Sequence, residues 1–219
     1  MSFRYRIWGS ESSSALLSIL LVGAGLGAVN MAFAADVAAG KAAYALCSTC
    51  HGVNGEGIVA MNSPKLAGQG GWYIRRQLEA YQNGTRGTAT GDTFGMQMRP
   101  MAMTIAGPDA VDNLIAYIET LPDNPTAVTI TGDAAAGKTA YAVCAACHGQ
   151  AAEGNEQLGG PRLAGQNDWY IVQQLANYND GLRAYDSTDI FGNQMRPMAM
   201  MVNSEKAAND VVAYINSLQ

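Results

Sequence analysis

Apolar positions along this chain recur at helical intervals, and the whole pattern occurs twice. Ala35 to Cys50 is rich in alanine and carries Lys41, Tyr44 and Leu46, which predicts a helix. Gly52 to Gly71 is broken by Asn54-Gly55, Pro64 and Gly68 and predicts a loop wrapping one face. Trp72, Ile74, Leu78 and Tyr81 then fall at roughly helical spacing, so Trp72 to Asn83 reads as a second helix with Gly84 as its C-terminal stop. Thr85 to Met103 is interrupted by Gly87, Gly91, Gly95 and Pro100 and again predicts a loop. Pro108 to Leu121 opens with Pro and Asp and carries the stripe Val111, Leu114, Ile115 and Ile118, a closing helix. No segment alternates convincingly with the period of a strand. The expected fold class is all-α.

The second occurrence is displaced by 97 positions. Gly40-Lys41 matches Gly137-Lys138, Leu66-Ala67-Gly68-Gln69 matches Leu163-Ala164-Gly165-Gln166, and Trp72-Tyr73-Ile74 matches Trp169-Tyr170-Ile171. Met98-Arg99-Pro100-Met101-Ala102-Met103 likewise matches Met195-Arg196-Pro197-Met198-Ala199-Met200. A period this long exceeds the roughly 20–50 residues of solenoid repeats and marks a duplicated domain. The expected units are residues 35–125 and 126–219. The connection from Pro122 to about Gly132 is short and holds Pro122 and Pro125, which restricts relative motion. The units are expected to pack about an approximate two-fold axis, by analogy with isologous dimers.

Residues 1–34 are excluded from the fold. Arg4 and Arg6 begin a segment whose apolar and small-residue run, Ala15 to Val29, contains three glycines and precedes Ala32-Phe33-Ala34. That is the pattern of a secretory signal peptide, with cleavage expected after Ala34. The run is shorter than the roughly 20 residues of a membrane-spanning helix.

Charge narrows the partners. The chain has 13 basic and 18 acidic residues. Without Arg4, Arg6 and Glu11 the remainder carries 11 against 17, with 6 against 8 in the first unit and 5 against 9 in the second. No basic stripe interrupts this acidity, which argues against nucleic acid as a partner.

The chemistry lies in Cys47-Ser48-Thr49-Cys50-His51 and Cys144-Ala145-Ala146-Cys147-His148, which together use every cysteine and histidine of the chain. Cys-x-x-Cys-His is the attachment signature of c-type haem, with two thiols added to the porphyrin vinyls and the imidazole bound to iron. Two covalent haems are therefore expected, on Cys47 and Cys50 and on Cys144 and Cys147, with His51 and His148 as axial ligands. A redox dithiol has no need of the histidine, and a structural zinc site needs four ligands. Each unit of roughly 90 residues has a thin core of its own, which a buried haem supplements.

With histidine and cysteine consumed, the sixth iron ligand must be Met, Lys, Tyr or an open site. Met–His ligation suits electron transfer, because a soft thioether favours reduced iron. Three methionine pairs survive the repeat: Met98 with Met195, Met101 with Met198, and Met103 with Met200. Met96 stands opposite Asn193. Trp72, Trp169, Arg99 and Arg196 are candidates to bond the haem propionates, since buried carboxylates require N–H or charged partners. Tyr44 and Tyr141 are expected to pack the first helix of each unit on its closing helix.

These residues carry a family resemblance. The paired Cys-x-x-Cys-His, the Pro-x-Leu-Ala-Gly-Gln stretches, the aromatic-led helices with Gln-Leu, and Met-Arg before a final Tyr-Ile helix resemble the diheme cytochrome c4 family, over essentially all of residues 36–219. The resemblance implies two tandem class I cytochrome c domains, each wrapped around one covalent haem. It implies Met98 and Met195 as axial ligands by their spacing from Ile105 and Val202, with Met101 and Met198 as the alternative. It also implies Pro64 and Pro161 as the residues whose carbonyls accept the ligand histidine N–H. The function implied is a periplasmic electron carrier rather than an enzyme, with no small-molecule substrate. Its donor would be a quinol-oxidising complex or periplasmic dehydrogenase and its acceptor a terminal oxidase; peripheral association with the membrane surface stays open. The alternative is the diheme subunit of a periplasmic dehydrogenase complex, such as a sulfur-oxidising flavocytochrome. A diheme peroxidase or thiosulfate oxidiser is disfavoured, since no His or Cys remains for a second kind of iron ligand.

Overall fold

Among the described residues, eight α-helices, four per unit, form from the two copies of the pattern. The structure, a computed structural model, describes residues 34–219, so the signal-peptide expectation falls on residues 1–33 outside it. In the first unit α1 is Val37–His51, α2 Gly71–Asn83, α3 Thr93–Met103 and α4 Pro108–Ile118. In the second, α5 is Ala134–His148, α6 Asp168–Asn179, α7 Ile190–Ala199 and α8 Glu205–Asn216. Among the described residues, β structure is confined to two isolated bridges, Ile58 with Ser63 and Asn155 with Gly160. The all-α expectation holds.

Each unit is built on one close helix crossing. Asp36 caps α1 through hydrogen bonds from the Ala38 and Ala39 amides, and Asp133 caps α5 in the same way. α1 lies across α4, and α5 across α8. The approach is so close that a Cβ on Gly40 would stand 1.9 Å from the Asn113 carbonyl oxygen, and one on Gly137 1.8 Å from that of Asp210. Glycine is required there by backbone contact. Tyr44 and Tyr141 pack the crossings as expected, with ring centroids 5.3 Å from Tyr117 and 5.4 Å from Tyr214. Val111, Leu114, Ile115 and Ile118 are all buried on one face of α4, each contributing about 1.5–3 kcal/mol of apolar burial.

α3 and α7 depart from the loop that the sequence predicts over these segments. Their glycines and Pro100 or Pro197 suggest breakage, yet both segments are helical. The Asp92 and Asp189 carboxylates accept the Gly95 and Gly192 amides at 2.9 Å and cap the first turns. At the far end Gln82 Nε2 donates to the Ala102 and Ile105 carbonyls at 2.9 and 2.7 Å, which satisfies acceptors a helix terminus leaves open. Tertiary contacts outweigh the local cost of the proline.

The units meet through reciprocal contacts. Gln69 Nε2 donates to the Arg162 carbonyl and Gln166 Nε2 to the Lys65 carbonyl, both at 3.0 Å. These residues correspond under the 97-residue offset, so the contact is isologous and the packing approximately two-fold.

Candidate haem sites

Helix geometry assembles each motif. Cys47, Cys50 and His51 stand at i, i+3 and i+4 of the last turns of α1, and so share one face. Cys144, Cys147 and His148 do the same on α5. The helix ends are held by Tyr44, whose hydroxyl donates to the Gly52 carbonyl at 2.8 Å, and by Tyr141, which donates to Gly149 at 2.9 Å. The four cysteines form no disulfide.

His51 Nδ1 lies 2.8 Å from the Pro64 carbonyl oxygen, and His148 Nδ1 lies 2.7 Å from that of Pro161. A carbonyl only accepts, so Nδ1 carries the hydrogen in each ring and Nε2 presents its lone pair. Burial lowers both imidazole pKa values, partly opposed by the proline carbonyls. The rings are thus oriented, neutral and free at Nε2, which is the state a metal-binding imidazole needs.

Each histidine opens on an apolar cavity, of about 190 Å³ in the first unit and about 290 Å³ in the second. The first is lined by Cys47, Cys50, His51 and Pro64 and, from α3, by Met98 and Met101. The second brings together Cys144, Cys147, His148, Pro161, Met195 and Met198. Met98 and Met195 also pack against the buried core of their units, whereas Met101 is 40% exposed. Met96, Met103 and Met200 are exposed and do not line a cavity.

Trp72, Trp169, Arg99 and Arg196 are absent from both cavity walls. Successive helix residues point about 100° apart, so Tyr73 and Tyr170 face the cavities while the preceding tryptophans do not. The same rotation separates Arg99 from Met98 and Arg196 from Met195, once α3 and α7 are helices. The two guanidiniums stand instead near Gly84 and Gly181. Arg99 keeps one claim on a haem carboxylate, because its Nε is buried without a hydrogen-bond partner.

Two other arginines answer that description better. Arg86 and Arg183, 8% and 7% exposed, line the first and second cavity respectively. Among the described residues neither has a carboxylate within ion-pairing distance. Burial would raise the Tyr73 phenol, but Arg183, Arg86 and Arg76 outweigh it and hold its pKa below the usual tyrosine value. Uncompensated buried cations are costly, and a cofactor bearing two carboxylates fits this donor set. The sequence signal was available: Gly84-Thr85-Arg86 and Gly181-Leu182-Arg183 recur at the same offset.

Comparison with known proteins agrees. The family model described as cytochrome c matches residues 37–122 and 134–219. Cytochrome c4 of Azotobacter vinelandii is 32% identical over 219 residues, covering 94% of this chain and 99% of that protein. The chain belongs to the cytochrome c4 family. As a member it is a two-haem electron-transfer protein carrying two covalent c-type haems, and its partners are redox proteins. Its fold is similar to that of reduced recombinant cytochrome c4 from Pseudomonas stutzeri, with a TM-score of 0.64 and 28% identity over 85% of this chain and all of that one. It is also similar to a protein of Stutzerimonas stutzeri (strain A1501) named thiosulfate dehydrogenase electron acceptor, at 30% identity over 198 residues, 80% of this chain and 87% of that protein. No described helix is long and apolar enough to cross a membrane.

Proposed function

We propose that Cys47 and Cys50, and Cys144 and Cys147, carry the thioether links, that His51 and His148 bind iron through Nε2, and that Met98 and Met195 supply the opposing thioethers. The protein is then a periplasmic shuttle for single electrons, released from its leader after Ala34. It takes electrons from a quinol-oxidising complex or a dehydrogenase and delivers them to a terminal oxidase. The observation that carries this reading is the meeting, in each cavity, of an oriented imidazole with a methionine packed on the core.

Bound haem supplies the one-electron iron couple. The chain's own residues do the rest. The Pro64 and Pro161 carbonyls hold the imidazole N–H and raise ring basicity. As iron ligands, Met98 and Met195 would favour the reduced metal. The mostly apolar walls would limit water around the bound group, and no residue is needed to move a substrate proton.

The test is the near-infrared thioether-to-iron band of the oxidised protein. Met98→Ala and Met195→Ala should each abolish about half of it, while Met101→Ala and Met198→Ala should leave it whole. Loss of the band in the Met101 and Met198 variants would reassign the ligands.

A second reading, as the electron-accepting partner of a sulfur-oxidising dehydrogenase, is favoured by the similarity to the Stutzerimonas protein of that name. Rapid reduction by a thiosulfate dehydrogenase, with none by a quinol-oxidising complex, would select it.

A further inference from the structure

The wall between the two cavities is shared and charged. Gln69, Tyr73 and Gln77 of the first unit, and Gln166, Tyr170 and Gln174 of the second, line both cavities. Arg86 and Arg183 are bound crosswise into this wall. Arg86 Nη1 donates to Gln77 Oε1 of its own unit at 2.7 Å, and its Nη2 reaches Tyr170 Oη and Gln174 Oε1 of the other, both at 3.2 Å. Arg183 mirrors this, with Nη1 on Gln174 Oε1 at 3.1 Å and Nη2 on Gln77 Oε1 at 3.2 Å. Each glutamine oxygen therefore accepts from both guanidiniums. The four side chains close a ring across the domain boundary.

This ring is electrostatically unusual. It buries two like charges, permanently protonated, against two neutral acceptors. Each guanidinium also stacks on a tyrosine of its own unit, Arg86 over Tyr81 at 4.7 Å and Arg183 over Tyr178 at 4.4 Å. Neither contact neutralises a charge. The haem carboxylates that this donor set fits would offset part of the charge, and the remaining positive potential acts on both sides of the wall, where burial leaves it poorly screened by salt.

We propose that the Arg86–Gln77–Arg183–Gln174 ring is a single potential-setting element that both haems share, so that each arginine raises the reduction potential of the haem in the opposite unit as well as its own. Reduction adds one negative charge to a haem site, and a nearby buried cation stabilises that state. Because the two cations are tied through common acceptors, an electron arriving at one site alters the hydrogen bonding felt at the other. Coupling of this kind is reciprocal by thermodynamic necessity. The inference rests on the haem-site reading above, and it makes these four residues positioning residues for electron transfer between the haems.

The experiment is a spectroelectrochemical titration of the full two-haem protein. Each haem is identified beforehand by the thioether band lost in Met98→Ala or Met195→Ala. Arg86→Gln should lower both midpoint potentials, most at the first haem, and Arg183→Gln should lower both, most at the second. Arg86→Lys should restore much of the loss at both haems, because it keeps the charge. Gln77→Glu supplies a carboxylate to both arginines. It keeps the accepting oxygen, the only atom of Gln77 in the ring, and so disturbs packing least; it too should lower both potentials. If Arg86→Gln and Gln77→Glu each move one potential and leave the other unchanged, the shared element is refuted. A shift in Arg86→Lys as large as in Arg86→Gln would also overturn the proposal, since packing rather than charge would then be responsible. Failure of the ligand reading shows separately, as a thioether band that neither axial variant removes.

Discussion

Asp123, in the linker between the units, holds a cation from each of them, and removing it has a cost that follows from the contacts. Its carboxylate accepts from Lys65 Nζ at 2.7 Å and from Arg162 Nη1 at 2.6 Å. Lys65 is 3% exposed, and after Asp123→Ala its remaining acceptor is the Asn124 carbonyl at 2.5 Å. Stripping one partner from a fully buried pair costs about 3–5 kcal/mol. Asp123 is 37% exposed, so water screens part of the interaction, and about 2 kcal/mol is expected. Burial raises the Asp123 pKa, but the bonds from Lys65 and Arg162 outweigh it and leave the carboxyl below its ordinary value. A carboxyl depressed by folding contributes its stability above its unfolded pKa and loses it as pH falls through the folded one. The difference between wild type and variant should be flat above about pH 5 and shrink below about pH 4. Urea denaturation of the haem-loaded chain, followed by helical circular dichroism across that range, measures it. A difference under about 0.5 kcal/mol at neutral pH, or one undiminished at about pH 3, would refute the reasoning.

Two further outcomes test the scaffold. Gly40→Ala or Gly137→Ala gains about 1 kcal/mol of helix propensity but drives a methyl into a backbone carbonyl; a net loss of about 2 kcal/mol or more is expected in the same denaturation assay, and a neutral or stabilising effect would contradict the crossing geometry. Asp168 is fully buried and accepts from Thr129 N and Oγ1, Ile130 N, Trp169 N and Asn216 Nδ2. Asp168→Asn sets an amide donor among these donors, for an expected cost of about 2 kcal/mol. Burial raises the Asp168 pKa and the bonds from Thr129, Ile130 and Trp169 outweigh it, so this contribution too should fade in acid, as the pH dependence of wild-type and Asn-variant unfolding would show.

Much of the fold was legible because its signals are local. The stripe on α4, the Gly84 stop and the paired motifs each lie within a few turns of helix. α3 and α7 were not legible, because the interactions that make them helical come partly from elsewhere: Gln82, on α2, closes the end of α3. The misassignment had a consequence at the site. Arg99 and Arg196 adjoin the proposed methionines in sequence, but a helical turn carries them away from the cavity walls, and Arg99 alone keeps an unpartnered buried Nε. Arg86 and Arg183 repeat at the same offset, but nothing local in the sequence distinguishes a buried arginine from a surface one.

The sequence by itself determined that two haem-binding units exist, that they are copies, and that histidine and cysteine are exhausted by the two motifs. Those conclusions need only residue identity and spacing. The tertiary structure decided which methionine of each cluster packs on the core and which charged groups stand between the cavities. Both depend on side-chain direction and on contacts between residues about a full repeat apart, such as Arg86 with Gln174. No pattern within one helix encodes them.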